Sequence, residues 1–317
     1  MVTALWNLWE EHQMKIATST CDFGFYCDND SDRIRELHRA GFRYVDLSMY
    51  SFAPDSPYMS DDWKKEVKKI KDLADKLGMT FVQAHSQGGN PLDENGNKVD
   101  FLFSATVRSI EICRELGIKN TVVHSGYKKG ITKEEFFERN REFYKKLVPA
   151  MEENGVNVLI ENSTKANMGE RYFLNTGKDM REFIEFFGHP LLHACWDTGH
   201  GNCEGEQYGE LTALGDELYA IHYNDNRGKA DEHMIPFFGT LNHDEIMHAL
   251  IDIGYKGYFT LESDSSLVKE KGWPLSRRKF GSDGRLADPQ LFMQRRLEAL
   301  MYETAEYILD SYGLLEK

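Results

Sequence analysis

The sequence predicts an α/β protein in which residues 1–317 form a single (β/α)8 TIM barrel with extended loops at its C-terminal face. Short apolar segments alternate with amphipathic segments along the chain, and this alternation is typical of parallel βαβ units. Eight apolar segments can be counted, and most are apolar throughout, as expected for strands that are buried on both faces. Such a barrel usually takes ~250 residues, so the chain is long enough for eight units and several long loops.

The eight predicted strands share a short length and a high content of apolar residues. They are residues 15–19, 44–49, 80–85, 121–124, 157–161, 192–196, 219–222 and 258–262. An open, doubly wound sheet is the alternative, and it is expected to carry a glycine-rich phosphate-binding turn after its first strand. Residues 18–25 contain Gly24 as their only glycine, so the sequence favours the closed barrel.

Helices are predicted between the strands from their capping residues and apolar stripes. Ser60 is expected to cap a helix with one apolar stripe. Thr132 and Glu135 form a capping-box pattern before a second amphipathic segment. The last helix is expected over residues 289–312, because a proline follows an aspartate at its start and apolar residues recur at steps of three and four.

The surplus length of the chain lies in four loops that each follow a predicted strand. These loops are residues 52–60, 86–100, 163–179 and 264–288. The loops that follow the strands of a TIM barrel surround its active-site mouth. We therefore expect all four loops at the functional end of the barrel.

Composition narrows the classes of partner. The chain has 52 Asp and Glu against 38 Lys and Arg, a formal charge of −14, which argues against nucleic acid or an anionic membrane as a partner. The five cysteines include no C-x-x-C pair, so a reducing, cytoplasmic location is expected. No apolar stretch approaches the ~20 residues that span a bilayer. The first 14 residues contain Glu10 and Glu11 and lack a basic start, so no signal peptide is expected.

Six consecutive predicted strands end in a histidine, an aspartate or a glutamate. The residues at these ends are His85, His124, Glu161, Asp197, His222 and Glu262. In a barrel these ends surround one axis, so the side chains would converge although they are far apart in sequence. Crowded carboxylates repel one another unless a cation lies among them. The residue types therefore predict a divalent metal site of the kind that Mn, Zn, Co or Mg occupies.

Each of these residues also has a simpler interpretation. A single histidine at a strand end is commonly structural, and Asp225 or Asp264 could cap a following helix. Trp196 is by default a packing residue, with a wall for stacking a sugar as the second interpretation. Asp231 and His233 could both face the site, because alternate residues of an extended loop point the same way, or they could belong to a solvated turn. The recurrence at six strand ends is what favours a metal site.

Several short segments carry a resemblance to a known family. They are residues 41–46 (GFRYVD), 116–118 (LGI) leading to His124, Glu161-Asn162, 196–200 (WDTGH), 222–233 (HYNDNRGKADEH) and 254–258 (GYKGY) before Glu262. These segments resemble the xylose-isomerase-like TIM-barrel superfamily, and specifically its sugar-phosphate isomerase/epimerase branch. The similarity runs from about the first strand to the eighth.

The resemblance implies a ligand set and a mechanism. In that family one divalent metal is bound by the residues that correspond to Glu161, Asp197, His222 and Glu262. The two glutamates are also the catalytic pair, and they transfer a proton on opposite faces of the substrate through an enediolate. The histidine that corresponds to His200 contacts a substrate oxygen near the metal.

The same superfamily contains endonuclease IV, which holds three zinc ions with a larger ligand set. His85, His124, Asp231 and His233 fit the additional positions and, with His200, are candidates for further metal or substrate contacts. An endonuclease IV-like multi-zinc phosphodiester hydrolase is therefore the alternative function. The D-x-H segment formed by Asp231 and His233 does not distinguish the two functions, because it also occurs in the sugar-isomerase branch. Residues 277–279 are the only cluster of Arg and Lys in the loops after the strands that could grip DNA.

The sequence thus predicts a metal-dependent isomerase or epimerase of a sugar, a sugar phosphate or a related polyol. Trp196, His200 and Arg227 are expected to bind the substrate, and residues 277–279 are further candidates for a phosphate, with ordinary surface charge as the other interpretation of these cations. A barrel that keeps a metal for structure or for sugar sensing is a third hypothesis. The loop around Trp273 is open to a role as a lid or a subunit contact, and a homo-oligomer is compatible with the sequence.

Overall fold

The computed structural model describes residues 13–279, 281 and 285–316. The segment 1–12, where we expect no signal peptide, lies outside the described residues, as do residues 280, 282–284 and 317. Within the described part of the chain, no helix combines the length and the apolar character needed to cross a bilayer.

Eight parallel strands form the centre of the molecule. They are β1 (Ile16–Ser19), β2 (Tyr44–Ser48), β3 (Thr80–His85), β4 (Asn120–Val122), β5 (Asn157–Glu161), β6 (Leu192–Asp197), β7 (Leu218–His222) and β8 (Phe259–Leu261). Each strand from β1 to β6 pairs with the next, and β1 also pairs with β8. The backbone N–H of Tyr223 donates to the carbonyl oxygen of Thr260 at 2.7 Å and joins β7 to β8. The predicted (β/α)8 TIM barrel is therefore confirmed.

Helices surround the strands. They are α1 (Asp30–Ala40), α2 (Trp63–Leu77), α3 (Gly96–Leu116), α4 (Lys133–Asn154), α5 (Lys165–Met168), α6 (Gly177–Phe187), α7 (Thr198–Glu204), α8 (Tyr208–Leu214), α9 (His243–Asp252) and α10 (Leu291–Ser311). The capping box of Thr132 and Glu135 is confirmed at the start of α4. The prediction for Ser60 was wrong, because α2 begins three residues after it, with Asp62 at the N-cap, and the Ser60 hydroxyl donates to the carbonyl oxygen of Pro57 at 2.7 Å.

On the side of β4 to β7, the interior of the barrel forms an apolar floor beneath the strand ends. A buried cluster separate from the main core consists of Val122, Leu159, Cys195 and Ala220. Side chains two residues apart on a strand point the same way. The next inward-facing residues are therefore His124, Glu161, Asp197 and His222, which the sequence analysis selected. The period of the strands thus places polar side chains directly above this buried apolar layer.

Asn140 fixes the loop that follows β4. This side chain is fully buried in α4, and its amide oxygen accepts from the N–H of Gly126 at 2.6 Å. Its amide nitrogen donates to the carbonyl oxygens of Gly126 and Phe136 at 3.1 and 3.0 Å. Because His124 lies two residues before Gly126, these bonds also hold one side of the polar strand ends.

We expect Asn140→Ala to lower the free energy of unfolding by roughly 2–4 kcal/mol, because a buried N–H and a buried carbonyl lose their partners. Urea unfolding followed by circular dichroism measures this change. Asn154→Ala, at the half-buried end of the same helix, is the matched control and should cost at most about 1 kcal/mol, because it loses one bond to the carbonyl oxygen of Ala150. Equal losses in the two variants would contradict this role for Asn140.

Candidate active site

Four side chains meet at the C-terminal end of the barrel, each from a different strand end. They are Glu161, Asp197, His222 and Glu262, and the ligand atoms of all four lie within 4.8 Å of one another. His222 Nδ1 lies 2.5 Å from Glu161 Oε1 and 3.4 Å from Glu262 Oε2. The structure therefore brings together the four residues that the family resemblance selected.

Burial and the neighbouring histidines shift the pKa values of the three carboxyl groups in opposite directions. Burial raises the pKa of the Glu262 carboxyl to about 7, against the effect of the neighbouring histidines. Burial also raises the pKa of Asp197. It would raise that of Glu161 as well, but His222 and His124 hold the Glu161 pKa well below its usual range. Three carboxylates and one imidazole in this space form a donor set that suits a divalent cation.

Two further histidines extend the group on the side of β3 and β4. His124 Nε2 lies 2.7 Å from Glu161 Oε2 and 3.1 Å from His85 Nε2, so these three residues form a second set of ligand atoms within 4.8 Å. Burial lowers the pKa of His85 to about 3, with a further contribution from His124. His85 is therefore a neutral imidazole, the form that binds metals.

A third set lies on the side of β6 and β7. Asp197, His200 and His233 have ligand atoms within 4.8 Å of one another. Asp231 lies between the two histidines, at 3.0 Å from His200 Nε2 and 3.1 Å from His233 Nε2. Burial alone would lower the pKa of His200, but the carboxylates of Asp197 and Asp231 raise it to about 10. Asp231 and His233 thus face the site and do not form a solvated turn.

Asp46 holds the far side of the His222 ring, although it was not among the site residues predicted from sequence. Asp46 Oδ2 lies 3.2 Å from His222 Nε2 and accepts from Gln83 Nε2 at 2.8 Å. This contact leaves Nδ1 of His222 to face the two glutamates. A carboxylate behind a metal-binding imidazole fixes its tautomer and orientation. A charged residue inside the otherwise apolar strand β2 was the available signal.

The segment 196–200 needs its glycine to place Asp197. Asp197 caps α7 by accepting from the N–H of His200 at 2.6 Å, and its other oxygen accepts from Asn224 Nδ2 at 2.7 Å. A Cβ on Gly199 would lie 1.9 Å from Asn224 Oδ1. The close approach of these two loops therefore excludes a side chain at position 199.

Two predicted substrate contacts are not supported by the structure. Trp196 is 1% exposed, and its indole N–H donates to Gln207 Oε1 at 2.8 Å, so it packs in the core outside the cavity. Arg227 pairs with Glu232 at 2.7 Å and does not line the cavity. Residues 277–279 also lie outside the cavity wall. These residues were predicted because they lie at or after strand ends in the sequence. Their side chains point away from the cavity or form local ion pairs.

A cavity of about 1120 Å³ lies above the clustered side chains. His85, His124, Glu161, Asp231 and Glu262 are in its wall. Each of the four long loops that follow β2, β3, β5 and β8 contributes residues to this wall. Aromatic side chains stand at its rim, including Trp273, which is 62% exposed and whose ring centroid lies 6.4 Å from that of His233. The site is therefore a large pocket with clustered ionisable side chains at its base and aromatic side chains at its mouth.

These features define a TIM barrel with a carboxylate and imidazole cluster at the C-terminal face. Residues 34–280 match the family model described as xylose isomerase-like TIM barrel. The chain belongs to this family.

Sugar epimerases are among the similar proteins. The D-psicose 3-epimerase of Ruminiclostridium cellulolyticum is 26% identical over 291 residues, which cover 88% of this chain and 92% of that protein. A crystal structure of a D-psicose 3-epimerase has a TM-score of 0.71 at 18% identity and covers 93% of this chain and 99% of the other. A structure of L-ribulose 3-epimerase has a TM-score of 0.70 at 17% identity, with 94% and 95% covered. The two structures support the fold.

We expect Asp46→Asn to weaken metal binding by about 10- to 100-fold, because the ring of His222 loses the negative charge that orients it. Competition with a chromophoric chelator measures the affinity for Mn²⁺, Co²⁺ and Zn²⁺. Asp75→Asn is the control: Asp75 is exposed on α2 and does not line the cavity. An Asp46→Asn protein with wild-type affinity would show that Asp46 has no part in metal binding.

Proposed function

We propose that this protein is a divalent-metal-dependent epimerase or isomerase that acts on a sugar or a sugar derivative. One observation carries the proposal: Glu161 and Glu262, from strands that are not neighbours, both face the same cavity and share a ligand cluster with Asp197 and His222. Two carboxylates beside one cavity are the groups needed to remove a proton from carbon and to return it.

The environments of the two glutamates suit different parts of this task. His222 and His124 keep Glu161 ionised, so that it can accept a proton. Burial gives Glu262 a pKa of about 7, which allows it to hold or release a proton near neutral pH. When bound by Glu161, Asp197, His222 and Glu262, a divalent cation would supply positive charge that stabilises the negative charge developing on substrate oxygens.

The related proteins favour epimerisation of ketoses. The curated relative of Ruminiclostridium cellulolyticum is a D-psicose 3-epimerase, and the similar structures include epimerases of psicose and ribulose. In a 3-epimerisation the proton leaves carbon on one face and returns on the other, which requires an acid–base group on each side. His200, which is buried in the wall of the same cavity, is available to contact a substrate oxygen.

The donor atoms narrow the choice of metal. The oxygen-rich group of Glu161, Asp197, His222 and Glu262 suits Mn²⁺, Co²⁺ or Mg²⁺, whereas the histidine-rich groups beside it suit Zn²⁺. We propose one tightly held ion in the first group. A cytoplasmic location, a single domain over residues 1–317 and a homo-oligomer complete the proposal.

We expect Glu262→Gln to lose at least about 100-fold in the rate at which a ketose exchanges its carbon-bound proton with solvent, because one acid–base group is removed. NMR in heavy water, with a panel of ketoses and with Mn²⁺, Co²⁺ and Zn²⁺ in turn, measures this rate. Metal content and thermal unfolding are recorded on the same samples to separate loss of chemistry from loss of metal or fold.

Glu217→Gln is the matched control for this experiment. Glu217 pairs with His193 at 2.6 Å, before the start of β7 and away from the cavity. The control should exchange protons at the wild-type rate. Wild-type exchange in the Glu262→Gln protein would remove Glu262 from the mechanism.

An endonuclease IV-like hydrolase is the second candidate, and one observation favours it. The additional groups around His85 and His124, and around His200 and His233, offer ligand atoms for more than one ion. The charge of the cavity opposes it, because seven Asp and Glu but only three Arg and Lys are among its described wall residues. A DNA backbone would meet repulsion in such a site.

We therefore expect no cleavage of an oligonucleotide that contains an abasic site, even when the protein is saturated with zinc. Gel analysis of the oligonucleotide and elemental analysis of the protein provide the two measurements. Cleavage that requires more than one zinc per chain, together with no proton exchange in any ketose, would reverse the order of the two candidates.

A further inference from the structure

Arg171 is a cationic side chain in the wall of the cavity, at the end of the short 3-10 helix that follows α5. Its Nε donates to the carbonyl oxygen of Met168 at 2.8 Å, and one terminal nitrogen donates to the carbonyl oxygen of Asn167 at 3.4 Å. The guanidinium lies over the ring of Tyr127, 5.0 Å from its centroid. These contacts hold the guanidinium in one orientation.

Arg171 differs from the other described cations of the cavity wall in its partners. Arg33 pairs with Asp30 at 3.0 Å, and Lys69 lies 3.6 Å from Glu66. No carboxylate among the described residues pairs with Arg171. A guanidinium has five N–H donors, and backbone carbonyls take two of them. Three donors of Arg171 are therefore free of protein acceptors in the described structure.

The loop that carries Arg171 is tied to the ligand cluster. Asn167 donates its amide N–H to Asp231 Oδ2 at 2.8 Å, and the same oxygen lies 3.0 Å from His200 Nε2. Tyr172, the next residue after Arg171, donates its hydroxyl to the backbone oxygen of Glu161 at 2.8 Å. Arg171 is therefore held at a fixed position relative to the carboxylates of the cluster. A group that anchors one end of a substrate needs such a fixed position.

We propose that Arg171 binds an oxyanion of the substrate, a phosphate or a carboxylate, while the reacting carbon of the same molecule lies beside Glu161 and Glu262. This inference rests on the proposed epimerase function and narrows its substrate class to acidic sugars. A planar guanidinium presents paired donors that match two oxygens of either group. The cavity of about 1120 Å³ exceeds the roughly 300–1,000 Å³ of common ligand pockets, so it has room for a group beyond the sugar.

The charges of the wall make this position selective. Asp28 and Asp264 line other parts of the cavity and repel an anion there, while Asp30 and Glu66 neutralise Arg33 and Lys69. The described part of the wall therefore offers an acidic substrate one unpaired cation, and its negative group should orient the whole molecule. A neutral sugar could accept a hydrogen bond from Arg171 through a hydroxyl oxygen, but it would gain no attraction between opposite charges.

The test compares wild type, Arg171→Met, Arg171→Lys and the control Arg296→Met. Arg296 also lies over an aromatic ring, that of Phe292, but it is on α10 and outside the cavity wall. Calorimetry measures the affinity of each metal-loaded protein for inorganic phosphate and for glycolate. Proton exchange in heavy water is then followed with D-fructose, D-fructose 6-phosphate and D-fructuronate, which separates a phosphate from a carboxylate as the preferred group.

We expect Arg171→Met to weaken anion binding and to raise KM for the preferred acidic sugar by roughly 10- to 100-fold, with little change in kcat, because a charge-assisted bond is lost. Arg171→Lys should recover part of the affinity, and Arg296→Met should match the wild type. Exchange of neutral D-fructose should be the same in all four proteins.

Two results would overturn the inference: equal anion affinity in wild type and Arg171→Met, or an equal fall in exchange of neutral and acidic sugars. The proposed function fails in a different way. If no sugar exchanges protons in any of these proteins, although phosphate binding still depends on Arg171, the anion site stands and the epimerase proposal falls.

Discussion

The repulsion among buried carboxylates at one end of the barrel is the constraint on which the rest of the site depends. Glu161, Asp197 and Glu262 have oxygen atoms within 4.8 Å of one another around His222. Groups of like charge at this distance stay ionised only if positive charge is supplied nearby. Burial raises the pKa of Glu262 and Asp197, the neighbouring carboxylates raise it further, and Glu161 stays ionised because His222 and His124 lower its pKa. A divalent cation supplies this positive charge, so the carboxylates need not be protonated.

The barrel makes such crowding tolerable because it places each charge on a rigid strand end. The floor of the site is apolar and buried, and it consists of Val122, Leu159, Cys195 and Ala220. The polar side chains above it therefore cannot move down into the barrel to increase their separation. Asp46 and Asn224 then fix His222 and Asp197 from behind. A cluster held in this way is preorganised for a cation, because little rearrangement is needed when the ion binds.

The strands could be predicted from sequence because burial on both faces leaves a simple signal, a short run of apolar residues such as 157–161. The clustered side chains followed from the strand ends, since a closed barrel brings those ends together. Trp196 and Arg227 were misplaced because their partners, Gln207 and Glu232, depend on side-chain direction and on loop conformation. Asp46 was missed because its role appears only when β2 and β7 are seen to face each other across the barrel.

The ligand cluster by itself does not decide between proton transfer and phosphodiester cleavage, because both chemistries use carboxylates, imidazoles and divalent ions. Function in this fold is set by the loops above a common framework. Here those loops build a pocket rich in acidic residues, and Arg171, on the loop after β5, is the cation of its described wall that no carboxylate pairs with. A polyanion needs many cations along an open surface, whereas a small acidic molecule needs one at a fixed distance from the reacting carbon. The loops therefore argue for a small acidic sugar, even though the cluster beneath them would serve either reaction.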